Sequence, residues 1–598
     1  KAEEVSSSRR FFHWFLEFAE VMQEGGFDCF LGNPPFLGNR KLKGSFGADY
    51  LDYLTTEYAP AGAIDLVGYF VRRNYKLLKE NRSLGTLATN TIAQGGTREG
   101  GLEVIEKAGG TIVMAVRSRP WPGVAAVEVS LAAIYKGTWK GRRVLDGKQV
   151  DFISTYFDDQ MTNGNPFPLA ANAEKSFQGS IVLGKGFVLE PAEAEAVIAR
   201  NPKNKDVLFP YLNGEDLNSR SDQSPSRWVI NFFDWPLNRD TAPEGYTGPV
   251  AADYPDCLEI VERLVKPERE KLKDDNSTSI RRKRFWWQYG SDAKQLYRTI
   301  APLERVITCS EVSKFLNFAY IKPNMVCSAN LDVFAFPFGC DFSIIQSVIH
   351  ETWARKYSAT LETRLKYSPG NAFETFPFPP GFEPNRDLGV SVASCDASSQ
   401  LSHKDATAQR EPGAGNEILG SSVPLGDASL RDRLETLGSR LDADRREIML
   451  KLDIGLTKLY NLYHNPDLSV PVVVKEAKCP DADAAWAVEK IVALRVLHKT
   501  IDEAVRDAYG WHDIPLQHGF HELEFLPEND RVRYTVSNAA RKVILTELLK
   551  LNHARHAEEV AAGLVDENGK VLKKKSYGDT KTQKKKKVVK DAGQGEMF

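Results

Sequence analysis

Residues 25–42 read GGFDCFLGNPPFLGNRKL. The run FDCFL at 27–31 is short and apolar and is stopped by Gly32, Asn33 and two prolines, a pattern that predicts a buried strand ending in a fixed loop. Cys29, inside that run, is read as a small buried apolar residue. Downstream, residues 64–79 set Leu66, Val67, Phe70, Val71, Tyr75, Leu77 and Leu78 largely on one helical face, with Arg72, Arg73, Asn74 and Lys76 turned toward water. GTLAT at 85–89, TIVMAV at 111–116 and VEVSLAAIY at 127–135 supply three more strand-like runs. Alternating strand and helix predicts an α/β domain over residues 1–137, with a mostly parallel sheet covered on both faces.

Beyond that domain the texture changes. Residues 138–385 form short mixed segments rich in aromatics and turns, closing on the proline-rich run FETFPFPP at 373–380. Residues 386–432 are rich in Ser, Ala, Asp and Gly and are read as a surface loop or linker. Apolar recurrences at three and four over 440–464, 484–508 and 533–562 predict a helical module spanning 433–565. The tail 566–598 is read as disordered: residues 570–590 hold ten lysines and one acid.

Seven cysteines, scattered and never spaced as C-x-x-C, argue against a structural zinc site and for a reducing, cytoplasmic compartment. No run of 18 apolar residues exists, which removes membrane-spanning helices from the reading. A net charge of −2 excludes only a protein that is basic throughout, because a positive face can still meet phosphates.

Asn33 is the sharpest chemical feature. In an open α/β sheet, ligands sit outside the carboxyl ends of the strands, where this amide lies. Pro34 and Pro35 fix the backbone and remove two N–H donors, leaving carbonyl acceptors in a rigid bend. The Asn33 side-chain oxygen and a proline carbonyl can together accept both hydrogens of an exocyclic amine. Phe36 offers a face on which a flat heterocycle stacks. The amine of adenine is a poor nucleophile, so alignment and polarisation are what such a site contributes. The same tetrapeptide would also serve as a proline turn capping a strand.

The segment GGFDCFLGNPPFLGNRKL resembles motif IV of N6-adenine DNA methyltransferases. The stretches DLVGYFVRRNYKLLKENRSLGTLATNTIAQGGTREG (65–100) and RSRPWPGVAAVEVSLAAIYKG (117–137) are similar to the downstream methylase motifs of bacterial restriction-modification enzymes that join methylase and target recognition on one chain, the type IIG pattern. The resemblance runs on through FQGSIVLGKGFVL (177–189), GLTKLYNLYH (455–464) and HGFHELEF (518–525), covering roughly residues 11–560. It implies a partial Rossmann-like methyltransferase sheet, a target-recognition region at 138–385 and a helical C-terminal module. It also implies S-adenosyl-L-methionine as cofactor and double-stranded DNA as partner. In that reading Asn33 and Pro34 hold the amine, Pro35 shapes the loop, Phe36 stacks on the flipped base and Trp121 is the candidate second wall of the base pocket, with a packing role as its alternative.

The family's glycine-rich cofactor turn is not found. Only 32 residues precede Asn33, too few for the first strands and their helices, since each crossover unit takes 30 or so. The cofactor-binding residues are thus unassigned, and the cofactor half is expected on a missing N-terminal segment or a separate chain. GKG at 184–186 is read as a turn between strands rather than a cofactor loop. Asp65 is read as a helix-capping acid. The expected sheet edge beside residues 27–31 would be unstable unless paired.

Flipping a base requires the rest of the chain to hold the duplex. Arg281, Arg282, Lys283 and Arg284 are the candidate DNA-binding cluster, through phosphate or a guanine fork, with a solvated surface as the alternative. Phe285, Trp286 and Trp287 are read as core. The histidines show no metal-ligand spacing, so no metal is expected, and no nuclease signature is identifiable. Two other readings stay open: a recognition subunit that keeps the methylase fold without activity, and a methyltransferase acting on another planar amine, in cytosine N4, RNA or protein.

Overall fold

A computed structural model describes residues 12–121, 128–160, 164–274, 276–361, 363–384 and 428–572. The linker expected at 386–432 lies outside the described residues up to 427, and the lysine-rich tail lies outside them beyond 572.

The first unit is built on six strands: β1 (Phe27–Gly32), β2 (Leu78–Thr89), β3 (Gly110–Pro120), β4 (Glu128–Lys136), β5 (Arg143–Leu145) and β6 (Lys148–Val150), in the spatial order β1-β2-β4-β3-β5-β6. β1 runs parallel to β2, and β3 to β5, whereas β4 is antiparallel to both its neighbours and β6 to β5. The expectation of a mostly parallel sheet is corrected to a mixed one. The cause is local: residues 121–127 are too few for the dozen or more that a parallel crossover needs, so β4 returns as a hairpin partner of β3 and inserts beside β2.

The helix Leu66–Leu77 joins β1 to β2 and is buried along more of its circumference than one amphipathic face. Val67, Val71 and Tyr75 pack into the sheet core, while Leu66 and Tyr69 pack into a second cluster with Leu42, Leu54, Tyr58, Ala61 and Ile64. Phe70, expected on the buried face, is exposed, and Gly68 is buried in its place. A Cβ on Gly101 would lie 3.5 Å from the Gly68 Cα, so the two backbones meet where neither residue has a side chain.

β1 departs from its expected burial. It is the terminal strand of the sheet, and its register against β2 shifts between Phe27 and Cys29. The shift breaks the period of two. Phe27 and Phe30, three apart, both turn onto Trp14, with ring centroids at 5.4 and 5.8 Å. Cys29 is left exposed rather than buried.

The remainder holds two cores. One gathers the strands Val188–Leu189, Leu208–Leu212 and Arg227–Ile230 with Phe187, Val261, Val265 and the buried Trp286, Trp287 and Tyr289. The other is shared between the sheet of Ala319–Ile321, Val306–Ser310, Leu331–Phe334 and Ser176–Gln178 and the helices Ala428–Leu452, Leu456–Tyr463, Asp481–Ala508 and Asn538–Ala561. A Cβ on Gly438 would lie 2.0 Å from the Gly339 carbonyl oxygen, so the helix Ala428–Leu452 and the helix Gly339–Gln346 touch backbone to backbone. Among the described residues no helix is long and apolar enough to cross a membrane, and no group of three or more His, Cys, Asp or Glu is placed to hold a metal ion.

Candidate functional site

β1 ends at Gly32, opposite Thr86 of β2, and the chain leaves the sheet through residues 33–36. Asn33 and Pro35 are exposed, Pro34 is half-buried and Phe36 is 38% exposed, so the loop lies at the surface. The loop is pinned at its far end. The Leu66 amide donates to the Leu37 carbonyl at 3.0 Å, and Leu37 packs against the cluster of Leu42, Leu54 and Tyr58.

Asp65 stands at this joint. Its carboxylate caps the helix Leu66–Leu77 by accepting from the Val67 amide at 3.4 Å, and its own amide donates to Thr97 Oγ1 at 3.2 Å. Burial raises its pKa above the usual carboxylate range, against the lowering effect of the Val67, Leu37 and Leu66 backbone groups.

Because β3 is parallel to β2 through the intervening β4, the carboxyl ends of β1, β2 and β3 share one sheet edge. Trp121, directly after β3, is therefore on the same edge as Asn33 and is 38% exposed. Three interstrand spacings, about 14 Å, separate β1 from β3, so this placement alone does not make Trp121 a neighbour of Phe36. Nearer to Asn33 lies Asn90, the first residue after β2, followed by Gln94. Both reach Thr360 in the strand Ala359–Leu361: Asn90 Nδ2 and Gln94 Nε2 donate to Thr360 Oγ1 at 3.1 and 2.9 Å, and the Thr360 amide donates to Gln94 Oε1 at 3.1 Å. Sequence reasoning missed these two amides. The rule that singled out Asn33, a polar residue just past the carboxyl end of a strand, applies equally to Asn90.

A second missed residue is Arg98, 2% exposed. Its guanidinium donates to Glu103 and Thr155 at 3.0 Å each, to Asn165 at 2.8 Å and to Glu99 at 3.2 Å, and lies 4.0 Å from the Tyr156 ring centroid. On the other side of that ring network, Lys356 pairs with Asp158 and sits 4.2 Å from the Tyr156 ring. The segment after β2 is thereby tied to Thr155, Tyr156 and Asn165, and through the Tyr156 ring to Lys356 of the helix Val348–Tyr357.

The basic cluster lies elsewhere, on the helix Ser277–Arg284 of the unit that contains Trp286 and Trp287. Its four members are not equivalent. Arg281 donates to the Tyr289 and Gly290 carbonyls at 3.3 and 3.1 Å, and Lys283 pairs with Asp274 at 2.9 Å. Arg284 is exposed, with its guanidinium 5.2 Å from the Phe285 ring. Beneath them Arg269 is buried and donates to the carbonyls of Phe285, Gln288, Val182 and Leu183, and burial lowers its pKa to about 10.

Residues 184–186 do not fit a cofactor cradle. A Cβ on Gly186 would lie 2.4 Å from Leu264 Cβ, and one on Gly184 would lie 3.1 Å from Phe187 and Val265 side-chain atoms. The end of the helix Pro255–Leu264 and Val265 pack directly against this glycine turn.

Residues 1–105 match the family described as Eco57I restriction-modification methylase, and residues 251–380 match the MmeI target recognition domain, so both segments stand on one chain. Among solved structures, the chain is similar to the type IIL restriction-modification enzyme MmeI in complex with DNA, at 15% identity and a TM-score of 0.56, over 90% of this chain and 59% of that one. That likeness is one of fold. The DrdV–DNA complex (10% identity, 83% of this chain and 58% of that one, TM-score 0.32) and the type IIG restriction endonuclease BpuSI (11%, 81% and 54%, TM-score 0.21) also match, at scores that carry no argument. This chain thus spans less than two thirds of each of these relatives. No curated protein matches it.

Proposed function

We propose that this chain, which joins a segment similar to the Eco57I restriction-modification methylases to one similar to the MmeI target recognition domain, acts in transferring a methyl group from S-adenosyl-L-methionine to the N6 amine of an adenine flipped out of duplex DNA. The observation that carries this reading is the exposed Asn33, Pro35 and Phe36, with the half-buried Pro34 between them, at the carboxyl end of β1 within the methylase match. The Asn33 side-chain oxygen and the Pro34 carbonyl each accept one amine hydrogen, which turns the nitrogen lone pair out of the ring plane and toward an electrophile. Phe36 stacks on the base that has left its helix, and Trp121 is a candidate for its opposite wall. Arg284 and its neighbours are candidates for the phosphate contacts that hold the duplex.

The donor, when bound, supplies the electrophilic methyl group. We place its binding residues outside the described part of this chain, on another segment or a partner chain. Two features support that placement: the turn at 184–186 is closed by helix packing, and β1 is a terminal strand whose Leu31 is 89% exposed. An unpaired strand edge with apolar side chains beside it is a template for a further strand.

The closed turn also favours a second reading, a recognition subunit that keeps the methylase fold without turnover. Product analysis separates the readings. The intact enzyme, labelled donor and a duplex containing its target should yield N6-methyladenine. Duplex binding without transfer would establish the second reading, and a methylated cytosine, RNA or protein amine would replace adenine as the substrate.

A further inference from the structure

Asn90 and Gln94 belong to the segment that matches the methylase family, and Thr360 to the segment that matches the target recognition domain. Three hydrogen bonds of 2.9–3.1 Å join them across more than 260 residues of sequence. Thr360 Oγ1 accepts from both side-chain amides. The Thr360 N–H, which belongs to the outer strand of a three-stranded sheet, donates to Gln94 Oε1, so the Gln94 side chain occupies the place a neighbouring strand would take.

Both ends of the contact are held. Gln94 lies between the short helices Asn90–Ala93 and Gly95–Arg98, and its carbonyl accepts from the Arg98 amide at 3.2 Å. Arg98 is itself locked by Glu103, Thr155 and Asn165. At the other end, the strand Ala359–Leu361 pairs with Arg364–Lys366, which pairs in turn with Val312–Ser313. The contact also stands at the carboxyl end of β2, the strand adjacent to the one that ends at Asn33. A displacement of the recognition segment along this edge therefore moves it relative to the amine-binding loop.

We propose that Asn90, Gln94 and Thr360 form a clamp that sets the register between the recognised sequence and the methylated base, with Thr360 as its positioning residue. The clamp rests on the function proposed above and deepens it. Its polar groups are engaged with one another, so the clamp governs how fast and at which adenine the methyl group is placed, and leaves duplex affinity to other residues.

The test uses the intact enzyme with labelled S-adenosyl-L-methionine. Three variants are compared with wild type: Thr360→Val, which keeps the shape and removes the hydroxyl oxygen; Gln94→Leu, which removes both of its bonds; and Thr360→Ser, which restores the hydroxyl. Duplex Kd, single-turnover transfer rate, melting temperature and the position of the methylated adenine are measured on duplexes with the target adenine at its normal place or one base pair to either side. Thr360→Val and Gln94→Leu should lower transfer at the normal adenine by on the order of 10- to 100-fold, the scale of loss that a misplacement of about 1 Å produces. Their Kd should stay within about twofold, and methylation should spread to the displaced adenine. Thr360→Ser should stay close to wild type, and the Thr360→Val/Gln94→Leu double variant should lose less than the product of the two single losses, because both substitutions remove the bond between Gln94 Nε2 and Thr360 Oγ1. Unchanged rate and position in Thr360→Val would overturn the clamp. So would a Thr360→Ser variant as impaired as Thr360→Val, or losses in Kd and melting temperature matching the loss in rate, since these mark a purely structural contact. A wild-type enzyme that transfers no methyl group to DNA would overturn the proposed function and the clamp with it, whereas an active wild type with unaffected variants overturns the clamp alone.

Discussion

The Leu66 amide donates to the Leu37 carbonyl at 3.0 Å, tying the loop that carries Asn33 to the first turn of the helix that follows it. Asp65 precedes that turn and caps it. Asp65→Ala should cost about 1 kcal/mol of stability, the usual loss for a helix cap, whereas Asp65→Asn should keep most of it because Asn caps about as well. In a methyl-transfer assay, Asp65→Ala should reduce turnover more than it reduces duplex affinity, because its strain falls on the Asn33 loop. Equal melting temperatures for the Ala and Asn variants would contradict the assignment.

Asn33→Ala removes an acceptor that matters most as the amine changes geometry during transfer. Turnover should fall by roughly 10²-fold or more while duplex affinity changes little. Phe36→Ala removes stacking of about 1–3 kcal/mol and leaves both acceptors, so its effect should be smaller, and Phe36→Trp should retain much of the activity. Near wild-type turnover in Asn33→Ala would exclude the amine grip.

Arg281 and Arg284 lie one turn apart yet should respond differently to substitution. Arg284→Ala, which removes an exposed guanidinium lying 5.2 Å from the Phe285 ring, should lower the slope of log affinity against log salt by about 1 if it contacts a phosphate. Arg281→Ala should also lower the melting temperature, because Arg281 holds the Tyr289 and Gly290 carbonyls. A salt slope unchanged in Arg284→Ala would take that residue out of the DNA-binding set.

Stability should fall in mild acid. Burial lowers the His498 imidazole to about 3 and the His350 imidazole to about 4. Each is neutral in the fold: His498 Nε2 lies 2.8 Å from the Tyr460 hydroxyl, and His350 Nδ1 lies 2.8 Å from the Ile345 carbonyl, which can only accept. In the unfolded chain both take up protons near pH 6.5. Between about pH 6.5 and 4 the unfolded state therefore binds more protons than the folded state, and stability is lost as pH falls through that window. Urea midpoints measured from pH 7 to 4 should show the decline, and His498→Gln, which cannot titrate, should flatten it. Parallel curves for wild type and variant would show that His498 does not contribute.

Much of the sheet edge that carries Asn33 was legible in the sequence, because it is made locally. An apolar run stopped by Asn-Pro-Pro predicts a strand and a fixed bend from residues within ten positions of one another, and Asp65 before an apolar helical pattern reads as a cap for the same reason. The basic run at 281–284 and the burial of Trp286 and Trp287 were likewise accessible from short-range pattern. Three features were not. Cys29 reads as buried because it lies inside a short apolar run, but a register shift against β2 and a terminal position in the sheet leave it exposed. The sheet was read as mostly parallel, although strand direction depends on where β4 inserts. Gln94 and Thr360 carry no local signature, since an amide and a hydroxyl are ordinary surface groups until a partner 266 positions away satisfies them, and Arg98 beside them is buried by Thr155 and Asn165, 57 and 67 positions on. The sequence by itself determined the strand, the Asn-Pro-Pro bend and the helix cap around the candidate site. Only the tertiary structure decided which sheet edge they share and what holds the recognition segment against it, because strand order and buried polar pairing are set by long-range packing that no periodicity records.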